Sequence, residues 1–337
     1  MSATDFPSPS TARTARRPPA ALTIGNFDGV HLGHQALIRR TCAVARASGQ
    51  RCLVLTFWPH PRAVLGGGQA PPPLTSRAER RRRILALDVD ELLELPFTPD
   101  LAITAPEEFV RRHLMPLDVR HLLIGHDFSL GRGRSGGPDV LRGLGARYGF
   151  QVEQLAPVRH LGGIVSSSRI RRCVAEGDVE TAAALLGTWH SVEGPITHGM
   201  GRGTGLGFPT ANMGLPDTLL PPPGVYATLA QVDDLPGTRQ AVTNIGHNPT
   251  FGGAKLSIES FLLDAHGDLY GRTLRLGFVT RLREERRFDG PDALIRQIGQ
   301  DVAQARRLLA DAASGPAGIL SPHPCPAPDR AAPAEEA

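Results

Sequence analysis

The chain has no apolar run long enough to cross a bilayer, which sets aside a membrane-spanning role. Cysteine is scarce: Cys42, Cys52, Cys173 and Cys325 lie far apart with no Cys-x-x-Cys pair. Their spacing suggests neither a disulfide framework nor a zinc site, and a reducing cytoplasm is the expected location. The apolar stretch after Arg16 and Arg17, from Ala20 to Ile24, is too short for the core of a secretory signal. A continuous basic stripe is also missing. The 37 Lys and Arg are scattered among 33 Asp and Glu, for a formal net charge of +4. That balance implies no nucleic acid and fits simple solubility as well as small anionic ligands.

What is present is ordinary globular composition in a length, 337 residues, that exceeds what one hydrophobic core usually serves. Residues 1–19 (Ser, Thr, Pro, Arg) and 313–337 (Pro, Ala) read as disordered tails unable to bury much surface. Between them the texture changes once. In the first half, Ala21 to Ile24, Cys52 to Phe57, Leu92 to Leu95, Leu122 to Ile124 and Val152 to Leu155 read as strands. The segments between them are long enough for crossover helices, the pattern of a parallel sheet covered on both faces. After Ser191, strand-length runs separated by Gly and Pro (Gly224 to Val232, Gln240 to Ile245, Leu256 to Leu263, Thr273 to Leu282) suggest a small antiparallel barrel. Helical spacing of Leu294, Ile295, Ile298, Val302, Ala305 and Leu309 predicts a terminal helix over Pro291 to Leu309, with its apolar face on the barrel. A helix capped by Asp178 and closed near Gly187 puts the boundary there, giving domains 20–187 and 188–312.

Residues 23–34 read Thr-Ile-Gly-Asn-Phe-Asp-Gly-Val-His-Leu-Gly-His. This is a glycine-containing turn between a strand and a helix, where backbone amides and a helix N-terminus can face an anion. His31 and His34 share a face if they open that helix, and as donors they can stabilise charge growing on a phosphate under attack. The segment resembles the nucleotidyltransferase signature of bacterial bifunctional riboflavin kinase/FAD synthetases. Three further matches follow in family order: residues 56–61 around His60, with Trp58 where glutamate is frequent; 125–131 around Asp127; and 165–171 around Arg169, where Ser166 or Ser167 can cap the following helix. The resemblance implies a Rossmann-like domain that binds ATP and FMN through Gly25, Asn26, Phe27, Asp28, His60, Asp127, Ser167 and Arg169, with His31 and His34 catalytic. The chemistry it implies is attack of the FMN phosphate on the α-phosphate of ATP, giving FAD and pyrophosphate. Such a reaction needs alignment and charge neutralisation rather than a Ser-His-Asp triad.

Residues 199–212 read Gly-Met-Gly-Arg-Gly-Thr-Gly-Leu-Gly-Phe-Pro-Thr-Ala-Asn, too glycine-rich for a regular element and without the Lys-Ser/Thr ending of a P-loop. Pro-Thr-Ala-Asn resembles the flavokinase signature. By that resemblance Gly199, Gly201, Gly203, Gly207, Pro209, Thr210, Asn212 and Arg283 contact ATP or flavin, and Thr210 and Asn212 hold magnesium. Thr204 stands where a basic residue is frequent. Glu259 shares a strand face with Phe261 and Leu263, so it is expected to be partly desolvated, and the resemblance makes it the base for the riboflavin 5′-hydroxyl. Residues 244–251, 268–271 and 281–288 also resemble the family's barrel. The implied substrates are small molecules, with no obligatory protein partner. Two other readings stay open: a single-function FMN adenylyltransferase with a degenerate kinase barrel, and a flavin-binding regulator without turnover.

Overall fold

A computed structural model describes residues 17–66, 70–199, 202–250, 253–264 and 267–310. The two expected tails, apart from residues 17–19, lie outside the described residues, as does Gly201.

Five strands, β1 (Ala20–Ile24), β2 (Arg51–Trp58), β3 (Glu91–Pro96), β4 (Val119–Ile124) and β5 (Gln151–Gln154), form a parallel sheet of order β3-β2-β1-β4-β5. All five expected strands are present. β1 is buried at every position, as befits a central strand covered on both faces. Helices α1 (Leu32–Ala47), α2 (Pro61–Leu65), α3 (Arg77–Leu85), α4 (Pro99–Ala102), α5 (Pro106–Phe109) and α6 (Pro138–Tyr148) make the crossovers. The chain runs from β1 outward to β3 and then returns to β4 beside β1. The turns after β1 and β4 therefore flank a topological switch point, where open α/β sheets bind ligands. A hairpin of β6 (Arg159–His160) and β7 (Gly163–Ile164) precedes α7 (Ser167–Glu176) and α8 (Val179–Leu186). Asp178 caps α8 and Gly187, at φ +70°, ends it, as the sequence suggests.

The second unit is a closed antiparallel barrel of order β10-β11-β12-β9-β8-β13, made of β8 (His190–Thr197), β9 (Ala211–Met213), β10 (Gly224–Val232), β11 (Arg239–Thr250), β12 (Gly253–Leu262) and β13 (Thr273–Arg283). The glycine-rich segment holds a short helix, α9 (Arg202–Gly205), and the terminal helix α10 spans Pro291–Leu309. Tyr226, Ile245, Ile258, Leu276 and Phe278 fill the barrel. The outer residues Val225, Ala227, Leu229 and Val242 pack against Ala305 and Leu309 of α10. Full burial of a leucine such as Leu309 contributes about 1.5–3 kcal/mol.

One expectation is corrected. Cys42 and Cys52 are joined, with Cα atoms 4.9 Å apart. The ten-residue separation hid this because the chain turns over Ser48–Gln50, which folds the end of α1 back onto the start of β2.

Candidate active sites

The turn after β1 is held in a conformation that most side chains avoid. Phe27, Gly29 and Val30 have φ of +50°, +84° and +46°, the left-handed region that is costly for a β-branched residue such as Val30. Burial of Phe27 and Val30 offsets that cost. Gly25 is required because the Phe27 ring folds back over it, 3.0 Å from where a Cβ would sit. Asn26 is exposed, and its carbonyl accepts from Thr56 Oγ1 (3.3 Å) and Arg80 Nη1 (3.1 Å).

His31 is the N-cap of α1, its Nδ1 accepting from the His34 backbone N–H at 3.3 Å. An accepting Nδ1 leaves the proton of a neutral His31 on Nε2, where it can be donated. The two imidazoles stack with centroids 3.6 Å apart, and Phe27 meets His34 edge-on at 5.2 Å. Burial pushes His31 down to about 4, and burial with the neighbouring His31 ring holds His34 well below 6.5, so both are neutral donors near pH 7. His34 is partly exposed as a residue, yet its Nδ1 is buried and has no hydrogen-bond partner among the described residues. An orphaned imidazole nitrogen at the amide-rich start of a 16-residue helix fits a phosphate group.

The other expected residues converge on this turn in different ways. Asp28 is buried, and its carboxylate accepts from the backbone N–H groups of Leu74 (2.9 Å) and Thr75 (3.3 Å) and from Arg171. It thus holds the 74–76 segment against the turn. Ser167 Oγ donates to the Asp28 carbonyl (3.0 Å), while Ser166 is the residue that caps α7. His60 caps α2 by accepting from Arg62 N–H (3.1 Å), and burial lowers its pKa. Asp127, exposed after β4, is close enough to raise the His31 pKa. Arg169 donates to the carbonyls of His160 and Leu161, both at 2.8 Å, and so anchors the β6–β7 turn. Sequence reasoning did not single out Arg80 and Arg171. Arg80 is buried and ties Asn26 O to Phe57 O, and Arg171 supplies the cation for Asp28. The arginine-rich run at 77–83 was the available signal for Arg80.

On the barrel, Glu259 pairs in register with Asn212 of β9 on one side and Asn244 of β11 on the other. Directly opposed residues share a face, so the three form one polar row. The alternate positions Ile245, Ile258 and Met213 fill the barrel, so the row lies on its outside, with Glu259 half-buried as expected. The glycine-rich segment folds onto the same face. A Cβ at Gly199 would collide with the Asn212 amide, and one at Gly203 would collide with the Phe208 carbonyl and lie 3.3 Å from Thr210 Oγ1. Phe208 meets Phe261 edge-on at 5.4 Å. Gly207 needs its left-handed φ of +84°, and Pro209 is exposed beside it. Arg283 is placed differently. Its guanidinium grips Asp301 of α10 (2.8–3.1 Å) and lies 5.6 Å over the Phe288 ring. Asn244 was not singled out; its register with Glu259 is visible only in the closed barrel. Asn212, opposite Glu259 in register, and Thr210 two residues before it offer neutral oxygens, a donor set that fits magnesium shared with phosphates and water. Among the described residues no group of three or more His, Cys, Asp or Glu could hold a metal alone.

Comparison with known proteins matches both halves of the chain. Residues 13–169 match the FAD synthetase family model and residues 186–309 the riboflavin kinase model. The chain is 36% identical over 301 residues to the bifunctional riboflavin kinase/FMN adenylyltransferase of Bacillus subtilis (strain 168), covering 87% of this chain and 93% of that protein. It is 40% identical to the protein of the same description from Pseudomonas fluorescens, with 86% and 93% covered. A solved structure from Streptococcus pneumoniae, titled a macrolide-efflux protein, superposes with a TM-score of 0.78 at 29% identity, over 86% of this chain and 94% of that one. No helix among the described residues is long and apolar enough to cross a membrane. On the two matched models and this near full-length identity, the chain belongs to the bifunctional riboflavin kinase/FMN adenylyltransferase family.

Proposed function

We propose that this chain makes FMN on its barrel and FAD on its parallel sheet, each from ATP, with domains 20–187 and 188–312 as the working units. The observation that carries this reading is that one chain holds both assembled clusters: stacked, neutral His31 and His34 at the switch point, and the Asn212–Glu259–Asn244 row under a glycine-rich segment.

In the adenylyl transfer, an oxygen of the FMN phosphate forms a bond to the α-phosphorus of ATP while the bond to the β-phosphate oxygen breaks and pyrophosphate leaves. FMN phosphate is already a nucleophile, so the protein's part is alignment and charge stabilisation. His31 Nε2–H, His34 and the first amides of α1 face the reacting phosphates, with Gly25, Asn26, Phe27, His60, Asp127, Ser167 and Arg169 around them. Asp28 acts by keeping the turn in its strained shape. In the kinase reaction Glu259 accepts the proton of the riboflavin 5′-hydroxyl as its oxygen bonds to the γ-phosphorus of ATP and ADP departs. Thr210 and Asn212 would hold magnesium, which when bound neutralises phosphate charge. Gly199, Gly203 and Gly207 let backbone approach the phosphates; Arg283, through its grip on Asp301, fixes the end of β13 beside the flavin.

An intact Asn212–Glu259–Asn244 row favours this reading over a degenerate kinase barrel. We place the protein in the cytoplasm, acting on small molecules without an obligatory protein partner. In a reducing compartment Cys42 Sγ, once freed, has the carbonyls of Leu87 and Asp88 as acceptors at 3.7 and 3.6 Å. Incubation with riboflavin, ATP and magnesium, followed by separation of the flavins, tests the proposal. FMN followed by FAD is the expected outcome. FAD from FMN without FMN from riboflavin would leave only the transferase, and neither product would leave a binding protein.

A further inference from the structure

The face between sheet and barrel is built from buried charge. Arg83, 7% exposed, donates to four acceptors: Glu79 Oε1 (2.7 Å), the carbonyls of Gly29 (3.3 Å) and Trp189 (3.2 Å), and Ser191 Oγ (3.0 Å). One guanidinium therefore links the turn bearing the histidines to β8 of the barrel. Glu193 of β8 accepts from Ser76 Oγ (2.6 Å), Arg82 and Arg275. Ser76 caps α3 and follows Thr75, whose Oγ1 accepts from Gly29 N–H (3.2 Å) and whose own N–H donates to Asp28. The Gly29 carbonyl is thus held by Arg83, which the barrel holds directly, and the Gly29 N–H by Thr75, whose neighbour Ser76 bonds to the barrel; Gly29 sits at φ +84°, two residues before His31. Within the sheet domain, Gln35 Nε2 in the first turn of α1 also donates to the carbonyls of Val30 (2.9 Å) and Leu186 of α8 (2.8 Å).

We infer that the kinase barrel is a structural part of the adenylyl-transfer site, with Ser191 and Glu193 of β8 acting as positioning residues for FAD formation through Arg83, Ser76 and the Gly29 turn. Buried ion pairs are a poor source of net stability because desolvation offsets their attraction; what they fix well is geometry. Here the geometry fixed is a strained turn that must present His31 and His34 to a phosphate, and displacement by about 1 Å can cost ~10²-fold in rate. This inference rests on the adenylyl-transfer reading above and adds that residues of the other domain control it.

The test uses the full chain with Glu193→Gln and, separately, Ser191→Ala, a milder change should the first fail to fold. FAD formation from supplied FMN, FMN formation from riboflavin, and thermal melting are measured on each. The expected result is a ~10- to 100-fold fall in kcat for FAD formation, with KM for FMN and riboflavin phosphorylation nearly unchanged; the melting temperature falls in Glu193→Gln, which leaves Arg82 and Arg275 short of a carboxylate, and stays nearly unchanged in Ser191→Ala. Wild-type FAD formation in folded variants would overturn the inference. So would parallel loss of both activities with a lowered melting temperature, since the contact would then be only domain adhesion. If the unaltered chain makes no FAD from FMN, the adenylyl-transfer reading itself fails, and that result is distinct from either.

Discussion

The two candidate sites have opposite constructions. The sheet-side site is buried and strained: Phe27, Asp28, Val30 and His31 are almost inaccessible, and the turn is braced by α3, α7, α8 and the barrel. The barrel-side site is half-exposed: register places Asn212, Glu259 and Asn244 side by side on the outer face of three strands, and the glycine-rich segment folds onto them. On the proposed assignment the difference follows from the work of each. Adenylyl transfer begins with a charged nucleophile and needs rigid donors, whereas the kinase must accept a proton from a hydroxyl and admit a flavin to an open face.

Four measurements would break or sharpen this contrast. The largest effect is expected for Glu259→Gln, which keeps shape but loses the basic oxygen: kinase kcat should fall ~10²- to 10⁴-fold with riboflavin binding retained. Wild-type turnover would remove Glu259 as the base, and lost flavin binding would make it a positioning group. Next, His31→Ala or His34→Ala should lower FAD formation from FMN by ~10²- to 10³-fold, the loss typical of one preorganised donor, while FMN formation from riboflavin persists. Equal loss of both activities in a folded variant would erase the distinction between the sites. A smaller change is expected for Gly199→Ala, whose Cβ would push the Asn212 amide away; kinase KM for ATP should rise roughly 10-fold, about 1.4 kcal/mol, and FAD formation should not change. An unaltered KM would show that the glycine-rich segment does not set Asn212.

The smallest difference is expected with pH, where the two regions should behave alike. His31 beside the sheet and His190 at the start of the barrel are both lowered by burial from 6.5 to about 4. An unfolded chain takes up these protons near pH 6.5 and the folded chain only near 4. Stability present above pH 6.5 is therefore lost as pH falls towards 4. Denaturant midpoints at several pH values should decline over that window, and His190→Gln should flatten the decline. Between pH 8 and 6 FAD formation should show no step from His31, and a step near 6.5 abolished by His31→Gln would contradict its burial.

Local signals determined much of this protein from the sequence. Apolar runs bounded by Gly and Pro marked nine strands, helical spacing gave Pro291–Leu309, and Asp178 and Gly187 bracketed α8, because capping and periodicity act over a few residues. The motif residues were read from their resemblance to a known family. Strands β8 and β9 were not: Gly194 and Pro195 interrupt the first, the second is three residues long, and only pairing in the closed barrel defines them. The roles inside the motifs also escaped, since Asp28 binds the 74–76 segment and Arg283 grips Asp301, partners supplied by the fold. Arg83 shows the limit most clearly. Its bonds to Gly29, Trp189 and Ser191 join residues 54, 106 and 108 positions away. A buried guanidinium takes whichever acceptors tertiary packing brings within about 3 Å, and no local pattern in the chain encodes that choice.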